Sequence, residues 1–227
     1  MTSFSRRLLI AAASALALAA CGQSGSDSTG ASGPLAEHQR ADDIILGDPN
    51  APVLIIEYAS TTCPVCATFH TSVLPELKEK YIDTGLVKYA FRELPTAPEA
   101  IANAGFLLAR CAPEERYYDV LDILFERQAR ITRSGQPRQE LEAVAAAVGI
   151  DAAGFEACIN DEAGLNRIAE VSEEGFRKYG AGSTPSFVID GELYAGIRSL
   201  AFFDETLTPL LGDRAPNEAP AEEAEAE

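Results

Sequence analysis

Two cysteines, Cys63 and Cys66, lie three positions apart between segments of different hydrophobic periodicity. The segment before them, 51–60, contains a continuous apolar run at 53–56, which is typical of a strand covered on both faces. The segment after them, 67–83, carries apolar residues every four positions and predicts a helix. The cysteine pair therefore lies at a strand-to-helix junction, and this restricts both the fold and the chemistry of the two thiols.

The rest of the folded part follows a regular order of strands and helices. Strands are predicted at 42–48 and 85–95, and a hairpin at 184–196 turns at Asp190-Gly191, a pair that favours positive φ. Pro75 inside the first helix predicts a kink or a break. The remaining predicted helices are 98–111, 114–131, 137–148, 151–159 with an N-cap at Asp151, 162–179, and an amphipathic helix from 199. The fold class is α/β, with two strand-containing parts separated by a helical insertion.

The first twenty residues have the pattern of an export signal. Arg6 and Arg7 precede the apolar run 8–20, which is too short to span a bilayer because a spanning helix needs roughly 20 apolar residues. The run ends in Leu-Ala-Ala followed by Cys21, which resembles the lipobox of bacterial lipoproteins, whose cysteine is lipidated and becomes the first mature residue. An ordinary signal peptide cut nearby, with Cys21 left as a free thiol or removed, is the alternative.

Two further segments are predicted to lie outside the folded domain. Residues 21–40 are rich in Gly, Ser and Thr and predict a flexible tether, and residues 213–227 predict an acidic, disordered tail. Without the first twenty residues, 16 of the 18 basic residues face all 35 acidic ones, a net charge of −19. Such a chain has no basic surface for nucleic acid or anionic lipid, so membrane attachment is expected through the lipid on Cys21 alone.

The Cys-Pro-Val-Cys pair could be part of a metal site. A structural zinc site needs four ligands, but this pair is single, and Cys111 and Cys158 stand alone in the sequence. His70, four positions after Cys66, could complete a Cys–Cys–His site for a soft ion such as copper. The alternative is that His70 is an ordinary surface or partly buried helix residue.

A redox pair is the second interpretation. The helix dipole, the free backbone N–H groups and Pro64 in the first turn favour a thiolate at Cys63. Cys66, one turn later, is expected to be buried and to attack a mixed disulfide at Cys63. A purely structural disulfide is disfavoured, because a four-residue loop gives little chain-entropy stabilisation.

Two distant features support the redox interpretation. Glu57 lies within an apolar strand six residues before Cys63, and a buried carboxylate there could exchange a proton with Cys66. A solvated Glu57 at a sheet edge is the alternative. Thr184-Pro185 opens the later hairpin, where a proline at a strand start is a candidate cis peptide.

Taken together, these motifs resemble the thioredoxin fold, and the long insertion resembles its DsbA branch of exported thiol–disulfide oxidoreductases. The resemblance covers about residues 40–211. It implies a thioredoxin-like domain formed by 41–97 and 180–212, with an inserted helical domain at 98–179.

The resemblance also implies roles for individual residues. Cys63 would exchange with the substrate sulfur, Cys66 would resolve the mixed disulfide, Pro185 would be cis beside them, and Thr184 would offer its backbone to an extended substrate. Pro64 and Val65 would complete the substrate-binding surface. The strongest oxidases of the family usually carry His where this chain has Val65, and an apolar residue there stabilises the Cys63 thiolate less.

Some relatives carry a second disulfide in the insertion, which would correspond to Cys111–Cys158 here; two buried free thiols are the alternative. Closing this loop would stabilise the fold by about 4 kcal/mol on the chain-entropy model.

The expected function is a lipid-anchored thiol–disulfide oxidoreductase on the periplasmic side of a bacterial membrane, acting most simply as an oxidase. Its partners would be cysteine-containing exported proteins and a membrane redox partner, with no cofactor, metal or nucleic acid. The alternatives are a periplasmic thiol reductase and a copper-binding protein that uses Cys63, Cys66 and His70.

Overall fold

The computed structural model describes residues 37–216. Strand β2 lies at the centre of a mixed five-stranded sheet. The strands are β1 Ile45–Leu46, β2 Val53–Ala59, β3 Val87–Glu93, β4 Ser186–Ile189 and β5 Glu192–Ala195, in the order β1-β3-β2-β4-β5. Strands β2 and β3 are parallel, and the other neighbours are antiparallel. The predicted α/β class is confirmed.

Helices cover both faces of the sheet and form the insertion. Their bounds are α1 Pro64–Thr68, α2 Leu74–Leu77, α3 Glu99–Cys111, α4 Tyr117–Glu126, α5 Gln128–Arg133, α6 Pro137–Ala147, α7 Ala152–Ile159, α8 Glu162–Tyr179 and α9 Leu200–Leu211. Short 3₁₀ turns occupy Glu114–Arg116 and Gly212–Arg214. The segment between β3 and β4 is helical throughout its regular structure, as the sequence predicted.

The helix that follows the cysteine pair continues past Pro75 because it widens before the proline. A π-helical stretch, Phe69–Val73, joins α1 to α2, and the N–H of Leu74 bonds to the carbonyl of Phe69, five residues back. Pro75 then occupies the first turn of α2, where its missing N–H needs no partner. The predicted break is therefore replaced by a π-turn, and a second π-helical stretch, Lys78–Ile82, ends the segment.

The insertion differs from the prediction at one helix. The prediction of a single helix at 114–131 is wrong. A 3₁₀ turn comes first, and Arg127, whose ψ is 0°, separates α4 from α5. The separation coincides with a long-range contact, since the Gln128 side chain donates to the backbone oxygen of Thr62 at 2.8 Å. Asp151 caps α7 as predicted, accepting from the Gly154 N–H at 2.8 Å.

The alternation of side chains along β2 decides what lies beside the cysteines. Leu54, Ile56 and Tyr58 pack with Val171 of α8 on one face. Ile55 and Ala59 belong to the larger core on the other face, together with Cys66. Because successive strand residues alternate, Glu57 points to the face covered by the cysteine-bearing helix.

The hairpin turn also follows the prediction. Asp190 and Gly191 both have positive φ, 50° and 81°, as a two-residue turn of the I′ kind requires.

The N-terminal part of the described chain packs on the face of the sheet opposite the cysteine-bearing helix. The Arg92 guanidinium, fully buried on β3, pairs with Asp43 at 2.8 Å and donates to the His38 carbonyl at 2.6 Å. His38 Nδ1 lies 2.9 Å from the Tyr179 hydroxyl at the end of α8. His38, which the sequence predicts to lie in the tether, therefore contacts β3 and the end of α8.

Several predicted segments lie outside the described residues. They are the signal peptide 1–20, Cys21, most of the tether and nearly all of the acidic tail. Within residues 37–216, no helix has the length and apolar character needed to cross a membrane.

Candidate active site

Cys63 lies at the N-cap position of α1, directly after the loop that leaves β2. Its backbone is extended, at φ −80° and ψ 117°, and Pro64 occupies the first helical turn. The Cys63 side chain remains slightly accessible at 9% exposure, whereas Cys66 is completely buried. Both are free thiols. The loop thus presents one sulfur to a reaction partner and holds the other behind it.

The two thiols have opposite acidities. A hydrogen bond with the Cys66 side chain is the largest cause that lowers the pKa of Cys63 to about 5. Burial opposes this shift, and bonds with Thr184 and with the backbone N–H groups of Val65 and Cys66 support it. Burial is the largest cause that raises the pKa of Cys66, and the Cys63 hydrogen bond and the Glu57 charge act in the same direction. Cys63 is therefore the thiolate of the pair, and Cys66 holds the proton.

Glu57 is fully buried on β2, so the solvated alternative is wrong. One carboxylate oxygen, Oε2, accepts hydrogen bonds from the Tyr89 hydroxyl and from His70 Nε2, the latter at 2.8 Å. The other oxygen, Oε1, has no hydrogen-bond partner among the described residues. The carboxylate influences Cys66 electrostatically while one of its oxygens stays free for a proton.

The loop before β4 lies against the exposed thiol. The Thr184–Pro185 peptide bond is cis, and the Cys63 Sγ lies 3.5 Å from the Thr184 carbonyl oxygen. The Pro185 carbonyl accepts from Gly196 N at 2.8 Å, which ties this loop to the end of β5. Val65 is 43% exposed. The structure thus brings the reactive sulfur to a backbone edge that the hairpin holds in place.

A polar network that sequence reasoning missed supports the loop between β2 and Cys63. The Thr62 hydroxyl donates to the Thr96 carbonyl at 2.9 Å and lies 3.0 Å from the Ser60 hydroxyl. Gln128, 4% exposed, donates to the Thr62 carbonyl from the insertion. The run Ser-Thr-Thr before Cys63 was a local signal for such a network, but nothing in the sequence indicated Gln128.

The sequence predicts His70 either as a copper ligand or as an ordinary helix residue. Its side chain is 1% exposed, bonds to Glu57 through Nε2 and stacks on Phe125 with ring centroids 3.9 Å apart. Among residues 37–216, no group of three His, Cys, Asp or Glu side chains could hold a metal ion. The spacing from Cys66 had indicated a shared helix face, but Glu57 is the partner that the fold supplies.

Cys111 and Cys158 form a disulfide in the structure, with Cα atoms 5.8 Å apart. It joins the end of α3 to α7 within the insertion. The bridge lies outside the site formed by Cys63, Cys66 and Thr184.

A strand, a helix that begins at a reactive thiol, and a cis-proline loop facing that thiol define a redox protein of the thioredoxin fold. The family model described as Thioredoxin matches residues 39–208. The crystal structure of Wolbachia pipientis alpha-DsbA1 is 31% identical with a TM-score of 0.72, covering 78% of this chain and 94% of that one. The chain belongs to the thioredoxin superfamily, in its DsbA-like branch of thiol–disulfide oxidoreductases, and this confirms the predicted family and fold.

Other relatives agree on the fold and differ in length. A Rickettsia prowazekii (strain Madrid E) protein, provisionally named a protein-disulfide oxidoreductase, is 32% identical over 151 residues, which are 66% of this chain and 54% of that protein. The chain therefore spans about half the length of this curated relative. BdbD from Bacillus subtilis, 20% identical with a TM-score of 0.64, shares the fold.

Proposed function

We propose that this protein exchanges disulfides with exported proteins through Cys63 and Cys66, working in the oxidising direction from the periplasmic face of a membrane. The observation that carries the proposal is the opposite acidity of the two thiols: the pKa of Cys63 is lowered to about 5, and that of buried Cys66 is raised. A thiol of low pKa is a good leaving group, and the stabilised thiolate favours the reduced form of the pair. A pair that is stable when reduced oxidises its partners.

The exchange takes two steps that conserve electrons and protons. A substrate thiolate attacks Cys63 Sγ, the Cys63–Cys66 bond breaks, and Cys66 leaves as a thiolate that takes up one proton from solvent, with the Glu57 carboxylate as the carrier. A second substrate thiolate then attacks the substrate sulfur of the mixed disulfide, and Cys63 leaves as the stable thiolate. Two electrons pass from the substrate to the pair, and the substrate gains one disulfide.

The substrate is expected to bind as an extended segment beside the cis-proline loop. Thr184 would pair with the substrate backbone, Pro185 would pack beside the reacting sulfurs, and Pro64 and Val65 would form the opposite side of the contact. The position of the Thr184 carbonyl 3.5 Å from Cys63 Sγ supports this arrangement. A membrane redox partner would return the reduced pair to the disulfide.

A reductase is the second candidate, and Val65 is the observation that favours it. A half-exposed valine between the cysteines gives the Cys63 thiolate no side-chain hydrogen bond and no positive charge. Copper binding is less favoured, because His70 is occupied by Glu57.

The reduction potential of the pair decides between the two directions. Equilibration in glutathione buffers, followed by thiol trapping and mass measurement, gives this value. We expect it near or above about −180 mV, as in proteins that donate disulfides. A value near about −270 mV would assign the chain to the reductases, and failure to cycle would overturn thiol exchange altogether.

The membrane anchor is tested separately in cells. Lipid labelling with a radioactive or clickable fatty acid should mark the wild-type chain, and Cys21→Ser should remove both the label and the membrane association. An unlabelled wild-type chain would contradict the anchor and leave the redox proposal intact.

A further inference from the structure

His70 is buried between Glu57 and a cavity on the far side of the cysteine-bearing helix. Its Nε2 lies 2.8 Å from Glu57 Oε2. Its other ring nitrogen, Nδ1, is buried and has no hydrogen-bond partner among the described residues. An imidazole with one nitrogen on a buried carboxylate and the other unpaired is arranged to pass a proton through the ring.

The cavity beside His70 has a volume of about 420 Å³ and a polar rim. Lys78 and three acidic residues of α4, Asp119, Asp122 and Glu126, line it. The side chains of Lys78 and Asp119 are 44% and 57% exposed, so the rim reaches solvent. The lining is mostly apolar, but its polar groups and its opening to solvent allow water to enter a space of this size.

The groups that face His70 come from three elements. Glu57 and Tyr89, which share a hydrogen bond, approach from the sheet. Phe125 stacks on the ring, and Asp122 of the same helix lines the cavity. Burial is the largest cause that raises the pKa of Asp122. Asp119 and Glu126 add negative charge near Asp122, and Lys78 adds positive charge.

The cavity does not share its walls with the substrate contact. Cys63, Val65, Thr184 and Pro185 are absent from its lining. A polypeptide bound over Cys63 would therefore cover the front of the site and leave the cavity open to water.

We propose that His70 is a positioning residue for thiol–disulfide exchange, which relays protons between Glu57 and the cavity while substrate covers the front of the site. This inference rests on the proposed function. When substrate reduces the pair, Nδ1 takes a proton from the cavity, Nε2 passes its proton to Glu57, and Glu57 passes one to the Cys66 thiolate. When the pair is reoxidised, each proton moves in the opposite direction, and the ring returns to its starting tautomer.

The first test replaces His70 with an amide that keeps a donor toward Glu57 but does not titrate. His70→Gln should slow the oxidation of a cysteine-containing peptide by about tenfold or more, and should flatten the dependence of the rate on pH. The matched control is His38→Gln, because His38 is the only other histidine and lies on the opposite face, beside Tyr179. Stopped-flow rates over a pH series, with near-UV circular dichroism to verify folding, give the comparison.

The second test asks whether a free imidazole can replace the ring. His70→Ala should be slow, and added imidazole should raise its rate several-fold without affecting the wild type. Where His70→Ala does not fold, the decision rests on His70→Gln alone.

The relay is overturned if folded His70→Gln keeps the wild-type rate and pH profile, or if its loss is the same at every pH. Absence of rescue in a folded His70→Ala would also overturn it. A wild-type protein that exchanges no disulfide would overturn the proposed function instead, so the two failures are distinguishable.

Discussion

The two cysteine pairs of this chain differ in almost every respect that controls sulfur chemistry. Cys63 and Cys66 are free thiols within one helical turn, Cys63 9% exposed and Cys66 completely buried. Cys111 and Cys158 are 47 positions apart and joined as a disulfide between two helices of the insertion. The first pair is surrounded by groups that shift acidity, and the second links segments that are distant in the chain.

The comparison shows that placement decides what a cysteine pair does. The acidity of the first pair is set by its surroundings, which include helix N–H groups, the loop of Thr184 and the buried Glu57 carboxylate. The second pair acts mainly by reducing the conformational entropy of the unfolded chain. The short loop between Cys63 and Cys66 constrains the unfolded chain far less than a 47-residue separation does. We therefore expect reactivity and stability to depend on different sulfurs.

The largest expected effect comes from removing the reactive sulfur. Cys63→Ala should lower the rate of disulfide exchange by about a thousandfold or more, because the attacked and leaving sulfur is lost. Cys66→Ala should instead accumulate a long-lived mixed disulfide when Cys63 attacks a peptide that carries a disulfide, because the resolving thiol is absent. Non-reducing electrophoresis distinguishes the two. Exchange that continues in Cys63→Ala would move the reactive site elsewhere.

Removing the second pair should affect stability rather than exchange. Cys111→Ala combined with Cys158→Ala should lower the free energy of unfolding by about 4 kcal/mol, since the unfolded chain regains its loop entropy. Urea unfolding with the Cys63–Cys66 pair held in one redox state measures the loss. A change below about 1 kcal/mol would mean that the insertion is held together by its packing alone.

The reduction potential should depend on pH in a way that reports the acidity of the first pair. The pKa of Cys63 is lowered to about 5 and that of Cys66 is raised, so near neutral pH the reduced pair binds one proton for two electrons. The potential should fall by about 30 mV per pH unit there, and by about twice that below the Cys63 pKa. The same shift affects the stability of the reduced protein. Folding lowers the Cys63 pKa, so the Cys63 thiolate stabilises the folded reduced protein at pH values above the pKa of the unfolded thiol. This stabilisation is lost as the pH falls toward about 5.

Potentials measured across a pH series, with thiolate absorbance in the ultraviolet as a second readout, check this prediction. A slope of about 60 mV per pH unit at neutral pH would show that Cys63 is protonated there.

The smallest expected effect concerns the residue between the reactive cysteines. Val65→His should raise the reduction potential by about 30 mV, since a hydrogen bond or positive charge worth about 1.4 kcal/mol would stabilise the Cys63 thiolate. Val65→Ala is the matched control and should leave the potential near the wild-type value. Equal shifts in both variants would indicate that the valine acts through packing.

The sequence was sufficient to predict the parts of the fold that depend on local patterns. The apolar run of β2, the hairpin turn at Asp190-Gly191 and the N-cap at Asp151 each follow from residues close together in the chain. The resemblance carried by Cys63, Cys66 and Thr184-Pro185 then indicated the family.

The features that were not predicted depend on partners far away in the sequence. The division between α4 and α5 accompanies the contact of Gln128 with Thr62, 66 positions away. The contact between His70 and Glu57 became visible only when the fold placed the two side chains together. Helical periodicity describes which face a side chain lies on, but it does not identify the group that occupies the facing strand.

The attachment of the N-terminal segment to Arg92 has a mechanical consequence. Tension on the chain before Glu37 reaches the fold through the buried Arg92–Asp43 pair and the His38 contacts, all on the α8 face of the sheet. The cysteine-bearing helix lies on the other face. We therefore expect tension on the N-terminal segment to load the α8 face of the sheet first and to leave the spacing of the two sulfurs on the other face unchanged.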